Sequence, residues 1–234
     1  MIRAILFDFG QTLVDSANGF RAAERQAQQR LYADFQDIPW ENFLADYRRL
    51  RQEFHARSDF SRPALWQAVY HLFNREADWR RLGNWETTYW ETVQAASSLF
   101  PETKAVLAKL AANYRIALIT NTQGQKTAGN HRTSQFPELE RFFEVIIVAG
   151  ESGLPPKPDP APFRLCLEKL RLAAAEAVFV GDDWRIDVGG AAGVGIQPVW
   201  LQHHSVRRNW PVVETTVPII TSLDQLLELD QILR

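Results

Sequence analysis

The chain has 234 residues, 46% of them hydrophobic, with 12 glycines and 12 prolines, so a sizeable core is affordable and a disordered or collagen-like chain is excluded. Lys and Arg number 26 against 28 Asp and Glu, a formal charge of −2, which argues against a protein built mainly to bind nucleic acid. The one cysteine, Cys166, fits a reducing compartment, and with no run of about 18 apolar residues and no leader the expectation is a cytoplasmic globular protein away from the membrane.

The run Ile2–Phe9 predicts a first buried strand, apolar and bounded by turn residues. No second strand is expected for roughly 100 residues after Asp15, far more than a crossover needs. The intervening chain has helical spacing instead, in Phe20–Phe35, in Trp40, Phe43, Leu44, Tyr47 and Leu50, in Ala64–Phe73 and in Trp79–Val93. Trp40, Trp66, Trp79, Trp85 and Trp90 fall in this region and read as the core of a small helical bundle. A sharper reading has one or two of them lining a substrate pocket. Further strands are expected at Arg115–Thr120, Val145–Ala149, Ala177–Gly181 and Ile196–Leu201, with helices at Thr103–Ala112, Pro162–Leu170 and Asp187–Gly193. Leu223–Leu233 closes the chain as a helix with Leu223, Leu226, Leu227 and Leu233 on one face, opened by a Ser222–Gln225 capping box. Apolar strands alternating with helices describe an α/β domain whose parallel sheet is covered on both faces. Residues 1–15 and 96–234 form that domain, and residues 16–95 are a helical insert.

In such a sheet ligands bind beyond the carboxyl ends of the strands. The first strand delivers Asp8, then Phe9-Gly10-Gln11-Thr12-Leu13; the second delivers Thr120 and Asn121, then a Thr122-Gln123-Gly124 turn. The loop after the third carries Lys157-Pro158-Asp159-Pro160, and the fourth delivers Gly181-Asp182-Asp183 with Asp187 following. Four carboxylates (Asp8, Asp182, Asp183 and Asp187) against one ammonium, Lys157, would repel one another unless a cation joined them. Hard oxygen ligands suit Mg²⁺. With Lys157 it supplies about three positive charges, enough to admit a phosphate carrying roughly −1.5 to −2. A nucleophilic carboxylate among metal, lysine and neutral donors describes phosphoryl transfer through an aspartyl-phosphate.

Phe7-Asp8-Phe9-Gly10-Gln11-Thr12-Leu13, Ile119-Thr120-Asn121, Lys157-Pro158-Asp159-Pro160 and Gly181-Asp182-Asp183 with Asp187 resemble, in order, the four motifs of the haloacid dehalogenase-like hydrolase superfamily. The resemblance implies a Rossmann-like core, with the helical insert as that family's cap. It implies that Asp8 is the nucleophile and a metal ligand, and that Thr120 and Lys157 hold phosphate oxygens with Asn121 beside them. Asp182 matches a direct metal ligand, Asp183 and Asp187 acidic positions of the metal site, and Gly10 a ligand through its backbone carbonyl. The implied reaction is Mg²⁺-dependent hydrolysis of a small phosphorylated metabolite.

Gly10 departs from the pattern, because family phosphatases usually have there a second aspartate that protonates the leaving alcohol. General acid–base help is worth roughly 10²–10⁴ in rate, about 3–5 kcal/mol. The enzyme is then slow or selective, or draws its proton from elsewhere, or is a binding or regulatory relative without turnover. Carbon–halogen hydrolysis, also known in the superfamily, does without the magnesium chemistry, and the Asp182-Asp183-Asp187 set argues against it.

The remaining features have plainer readings. Gly189 to Gly195 lacks nucleotide-loop spacing and reads as close helix–sheet packing. Arg48-Arg49-Arg51, Arg80-Arg81 and Arg207-Arg208 read as solvated faces, and Cys166 as a buried structural thiol.

Overall fold

The central apolar runs become strands because both of their faces are buried. In the computed structural model, which describes residues 1–122 and 132–233, β1 (Ala4–Phe7) is buried at every position. Gln123 and Gly124, expected in a turn, lie outside the described residues. Alternate side chains of β1 enter different cores. Ile5 and Phe7 join Ile116, Leu118, Val178 and Val180 on one face, while Ala4 and Leu6 join Ala117, Ile119, Ala177 and Phe179 on the other. That period of two, with no polar face, marks a parallel sheet sandwiched between helices.

After β1 come the two-residue β2 (Val14–Asp15), then α1 (Ala17–Tyr32), α2 (Trp40–Ala56), α3 (Arg62–Leu72) and α4 (Trp79–Ala95). They are followed by β3 (Ser98–Leu99), α5 (Thr103–Leu110), β4 (Arg115–Asn121), α6 (Pro137–Glu140), β5 (Val145–Ala149), α7 (Pro160–Leu170) and β6 (Ala177–Gly181). A π-helical turn (Trp184–Val188) leads into α8 (Gly189–Ala192), and β7 (Gln197–Leu201) and β8 (Ile219–Ile220) complete the strands. The chain ends in a 3₁₀ segment (Leu223–Glu228) and α9 (Leu229–Ile232). The six-stranded sheet has the order β5-β4-β1-β6-β7-β8, and every pairing in it is parallel. This is a Rossmann-like α/β fold, and β1 sits where the strand order reverses, the usual place for a ligand.

The chain divides into two compact units, one built on the sheet and one of residues 18–97. It leaves the sheet unit after β2 and returns at β3, and these two strands pair antiparallel, Val14 with Leu99 and Asp15 with Ser98. The helical unit has its own core, in which Leu31, Phe43, Tyr47, Trp66, Leu82 and Val93 are fully buried. Glycine at position 19 is needed there, because a Cβ would lie 2.5 Å from the carbonyl oxygen of Val93. Within this unit Glu24 accepts from Tyr47 Oη at 2.6 Å and from Tyr89 Oη at 2.9 Å. Burial opposes its charge, but Arg62 and Arg51 outweigh burial and hold its carboxyl below the usual range. Four of the five clustered tryptophans contribute to the core, while Trp79 is 53% exposed.

Other departures from expectation have local causes. The last segment begins as a 3₁₀ turn, whose period of three buries Leu223, Leu226 and Leu229 and leaves Leu227 exposed. Its capping box is present, Ser222 accepting from the Asp224 N–H and Gln225 accepting from the Ser222 N–H. Glycine at 190 allows close packing against a helix rather than the sheet, since a Cβ there would meet the Phe163 ring of α7 at 2.7 Å. Cys166 is fully buried, and burial pushes its thiol up to about 12.

Candidate active site

Asp8 continues β1, its N–H donating to the carbonyl of Val180 at 2.9 Å. The chain then reverses tightly. Gly10 bridges to Val14, and Gln11 takes a left-handed φ of 64°. The reversal returns Thr12 toward Asp8, where its hydroxyl donates to Oδ2 at 3.3 Å.

At the neighbouring strand end, Thr120 is buried in β4 and Asn121 follows it. Asn121 uses both ends of its amide on one residue: Oδ1 accepts from the Lys157 N–H at 2.8 Å, and Nδ2 donates to the Lys157 carbonyl at 3.0 Å. Thus Asn121 fixes the backbone that carries the lysine. Lys157 is 1% exposed, and its Nζ donates to Asp8 Oδ1 at 2.8 Å, Asp187 Oδ1 at 2.8 Å and the Ile119 carbonyl at 2.7 Å. Burial works against its charge, but Asp187 and Asp8 overcome that and raise it above the ordinary lysine range.

The third component comes from the end of β6. Asp183 caps the π-helical turn, its Oδ1 accepting from the N–H groups of Arg185 and Ile186, and the turn brings Asp187 back to the strand. Glycine at 181 makes room for it, because a Cβ there would lie 2.5–2.6 Å from the Cβ, Cγ and Oδ2 of Asp187. Asp187 Oδ2 also accepts from the Asp183 N–H at 3.0 Å. Asp182 receives Arg208, whose Nη1 donates to Oδ2 at 2.6 Å.

Asp8, Asp182 and Asp187 therefore converge, each offering an oxygen within 4.8 Å of the others. Burial is the first cause that raises the Asp187 carboxyl to about 7, with Lys157 opposing it and Asp8 adding to it. Asp182 is likewise raised by burial, against the pull of Arg208. Three buried hard-oxygen donors whose ionised forms strain against one another suit a small divalent cation. Of the four expected acids, the structure brings these three together, and it engages Asp183 in capping.

A family model described as haloacid dehalogenase-like hydrolase matches residues 2–195. The chain belongs to that family. Among curated relatives of this hydrolase, the phosphoglycolate phosphatase of Yersinia pseudotuberculosis is 35% identical over 207 residues, covering 86% of this chain and 82% of that protein. The glyceraldehyde 3-phosphate phosphatase of Pyrococcus abyssi is 27% identical over 204 residues, covering 87% and 82%. Among solved structures, a 2-haloacid dehalogenase from Pseudomonas syringae aligns over 100% of both chains with a TM-score of 0.66 and 26% identity.

Two parts of this hydrolase's site were not foreseen. The bond from Thr12 to Asp8 lies inside the first motif, and its four-residue spacing was a readable signal. Arg208, expected with Arg207 on a solvated face, instead donates to Asp182, and nothing in the irregular stretch around it signals that contact.

Proposed function

We propose that this haloacid dehalogenase-like hydrolase is a phosphatase that cleaves a small phosphorylated metabolite through an aspartyl-phosphate on Asp8. The observation that carries this reading is the Lys157 ammonium, held 2.8 Å from both Asp8 Oδ1 and Asp187 Oδ1 at the end of the central strand. Asp8, Asp182 and Asp187 would hold Mg²⁺ together with the backbone carbonyl of Gly10. When bound, that ion supplies charge neutralisation and Lewis acidity at the phosphoryl oxygens.

A carboxylate oxygen of Asp8 attacks phosphorus, and the bond from phosphorus to the ester oxygen breaks. Lys157 and Thr120 hold the phosphoryl oxygens as charge redistributes among them. Gly10 has no proton to give, so the departing alkoxide takes one from water. A second water then attacks phosphorus, giving up a proton to the hydroxide left by the first, while the bond to Asp8 breaks and inorganic phosphate leaves with the carboxylate restored. Asn121 keeps Lys157 in register throughout. The helical unit of residues 18–97 would serve as the cap that excludes water and selects the substrate.

Phosphatase names among the relatives support this reading. The missing acid makes good leaving groups the favoured substrates, with acyl, aryl and anomeric phosphates ahead of simple alkyl phosphates. The test is a panel of phosphorylated metabolites and aryl phosphates, assayed with the wild type and Asp8→Asn, with Mg²⁺ or a chelator. Turnover that needs both Asp8 and Mg²⁺, and that falls as leaving-group pKa rises, is the expected result. Gly10 also favours a second reading, a binding protein that retains phosphate affinity without turnover. Activity on 2-haloacids that survives chelation would overturn the phosphatase reading.

A further inference from the structure

Arg208 lies in the irregular stretch between β7 and β8, yet its side chain is closely held. Nη1 donates to Asp182 Oδ2 at 2.6 Å, and Nη2 donates to the Asp182 backbone carbonyl at 2.5 Å. The same carbonyl accepts the indole N–H of Trp200 at 3.0 Å. The guanidinium stacks on Trp210, 3.8 Å from the ring centroid, and Trp210 packs edge-on against Trp200. Only 32% of the Arg208 side chain is exposed. A planar fork with two donors on one aspartate and its face on an indole is a positioned group.

The geometry points to Arg208 as the counter-charge of the cation pocket, competing with a divalent cation for Asp182 and, once the cation is bound, leaving the pocket more positive toward phosphate. This rests on the proposed reading of the pocket as a site for both. With all three carboxylates ionised, as a bound cation requires, Asp8, Asp182 and Asp187 sum with Lys157 and Arg208 to one negative charge. A divalent cation turns that to one positive charge, ready for a phosphate dianion. Without Arg208 the same two states carry two negative charges and none. Removing this positioning residue therefore shifts the two affinities in opposite directions, which a merely damaged fold does not do.

The experiment uses the full chain, Arg208→Met and Arg208→Lys, with Mn²⁺ as the cation probe followed by electron paramagnetic resonance. Inorganic phosphate is then titrated at saturating Mn²⁺ by calorimetry. For Arg208→Met, Mn²⁺ should bind about tenfold tighter and phosphate about tenfold more weakly, each change equal to about 1.4 kcal/mol. Arg208→Lys keeps the charge without the fork, so both of its shifts should have the same signs and be smaller. Equal or weaker Mn²⁺ binding in a folded Arg208→Met overturns the assignment. If that variant does not fold, the same result in Arg208→Lys overturns it. A wild type that binds no Mn²⁺ removes the reading of the pocket as well. A wild type that binds Mn²⁺ while neither variant changes removes the role of Arg208 alone.

Discussion

Replacing Lys157 by methionine deletes one ammonium and leaves two buried carboxylates without it. The Nζ atom is 2.8 Å from Asp8 and 2.8 Å from Asp187, and the lysine side chain is 1% exposed. Breaking a buried pair by removing one partner costs about 3–5 kcal/mol, because the remaining charge is stranded. A stranded carboxylate escapes by taking up a proton, so the cost depends on pH. Asp187 already titrates at about 7 rather than 3.8, through burial first, and Lys157 is the group that restrains it. Without the lysine it rises further. An acid with a raised folded pKa binds more protons folded than unfolded, so its stability is full below the unfolded value and is lost as pH rises through the folded one. In chelator, the deficit of Lys157→Met therefore grows with pH, and the Asp187 share of that growth, confined to the range above about 7, reaches about 1.4 kcal/mol by pH 8. Urea denaturation at pH 5, 6.5 and 8, followed by circular dichroism, measures it. A deficit that is constant with pH, or that shrinks as pH rises, refutes the reasoning.

The other predictions concern single contacts. Gly181→Ala forces a methyl into the Asp187 carboxylate and should cost about 1–3 kcal/mol by overpacking, and a shift of about 1 Å in that carboxylate should lower turnover roughly 100-fold; unchanged kcat and stability would contradict the close approach. Leu226→Ala should destabilise by about 2–5 kcal/mol and Leu227→Ala by less than about 0.5 kcal/mol in denaturation, a contrast that an α-helix over this segment would reverse or blur. With its thiol pushed up to about 12, Cys166 should resist alkylation at pH 8 until denaturant is added, and rapid labelling of the native protein would show it accessible.

The parts of the fold and site that the sequence displayed share one property: their signal is local and repeated. Strands read as unbroken apolar runs, and both Ala177–Gly181, buried throughout, and the edge strand Val145–Ala149, where Ile146 is exposed, have the expected bounds. The helical insert announced itself through aromatic residues at helical spacing. Asp8 and Asp182 were legible because each directly follows a strand, and Lys157 and Asp187 because the motifs that carry them lie in the segments following β5 and β6. β2 and β3 were not, since two residues cannot display a period. At the carboxyl end, apolar residues at 223, 226, 227 and 233 fit an α-helix on paper, and burial of Leu229 in place of Leu227 reveals the tighter turn. An aspartate ahead of a helical turn serves equally well as cap or metal ligand, so spacing could not separate the duties of Asp183. Arg208 depends on a long irregular return whose path no local pattern encodes.

The insertion also sets a schedule for biosynthesis. Residues 18–97 of the helical unit are one uninterrupted stretch of chain and leave the ribosome before β4 and β6. β1 meanwhile lacks both of its neighbours, one supplied by β4 and the other by β6. Asp8 meets Lys157 across 149 residues, and closing so long a span is paid for in entropy before any contact rewards it. A nascent chain therefore trails an unpaired, wholly apolar first strand. Its vulnerability to aggregation ends only when β6 emerges to cover the second edge.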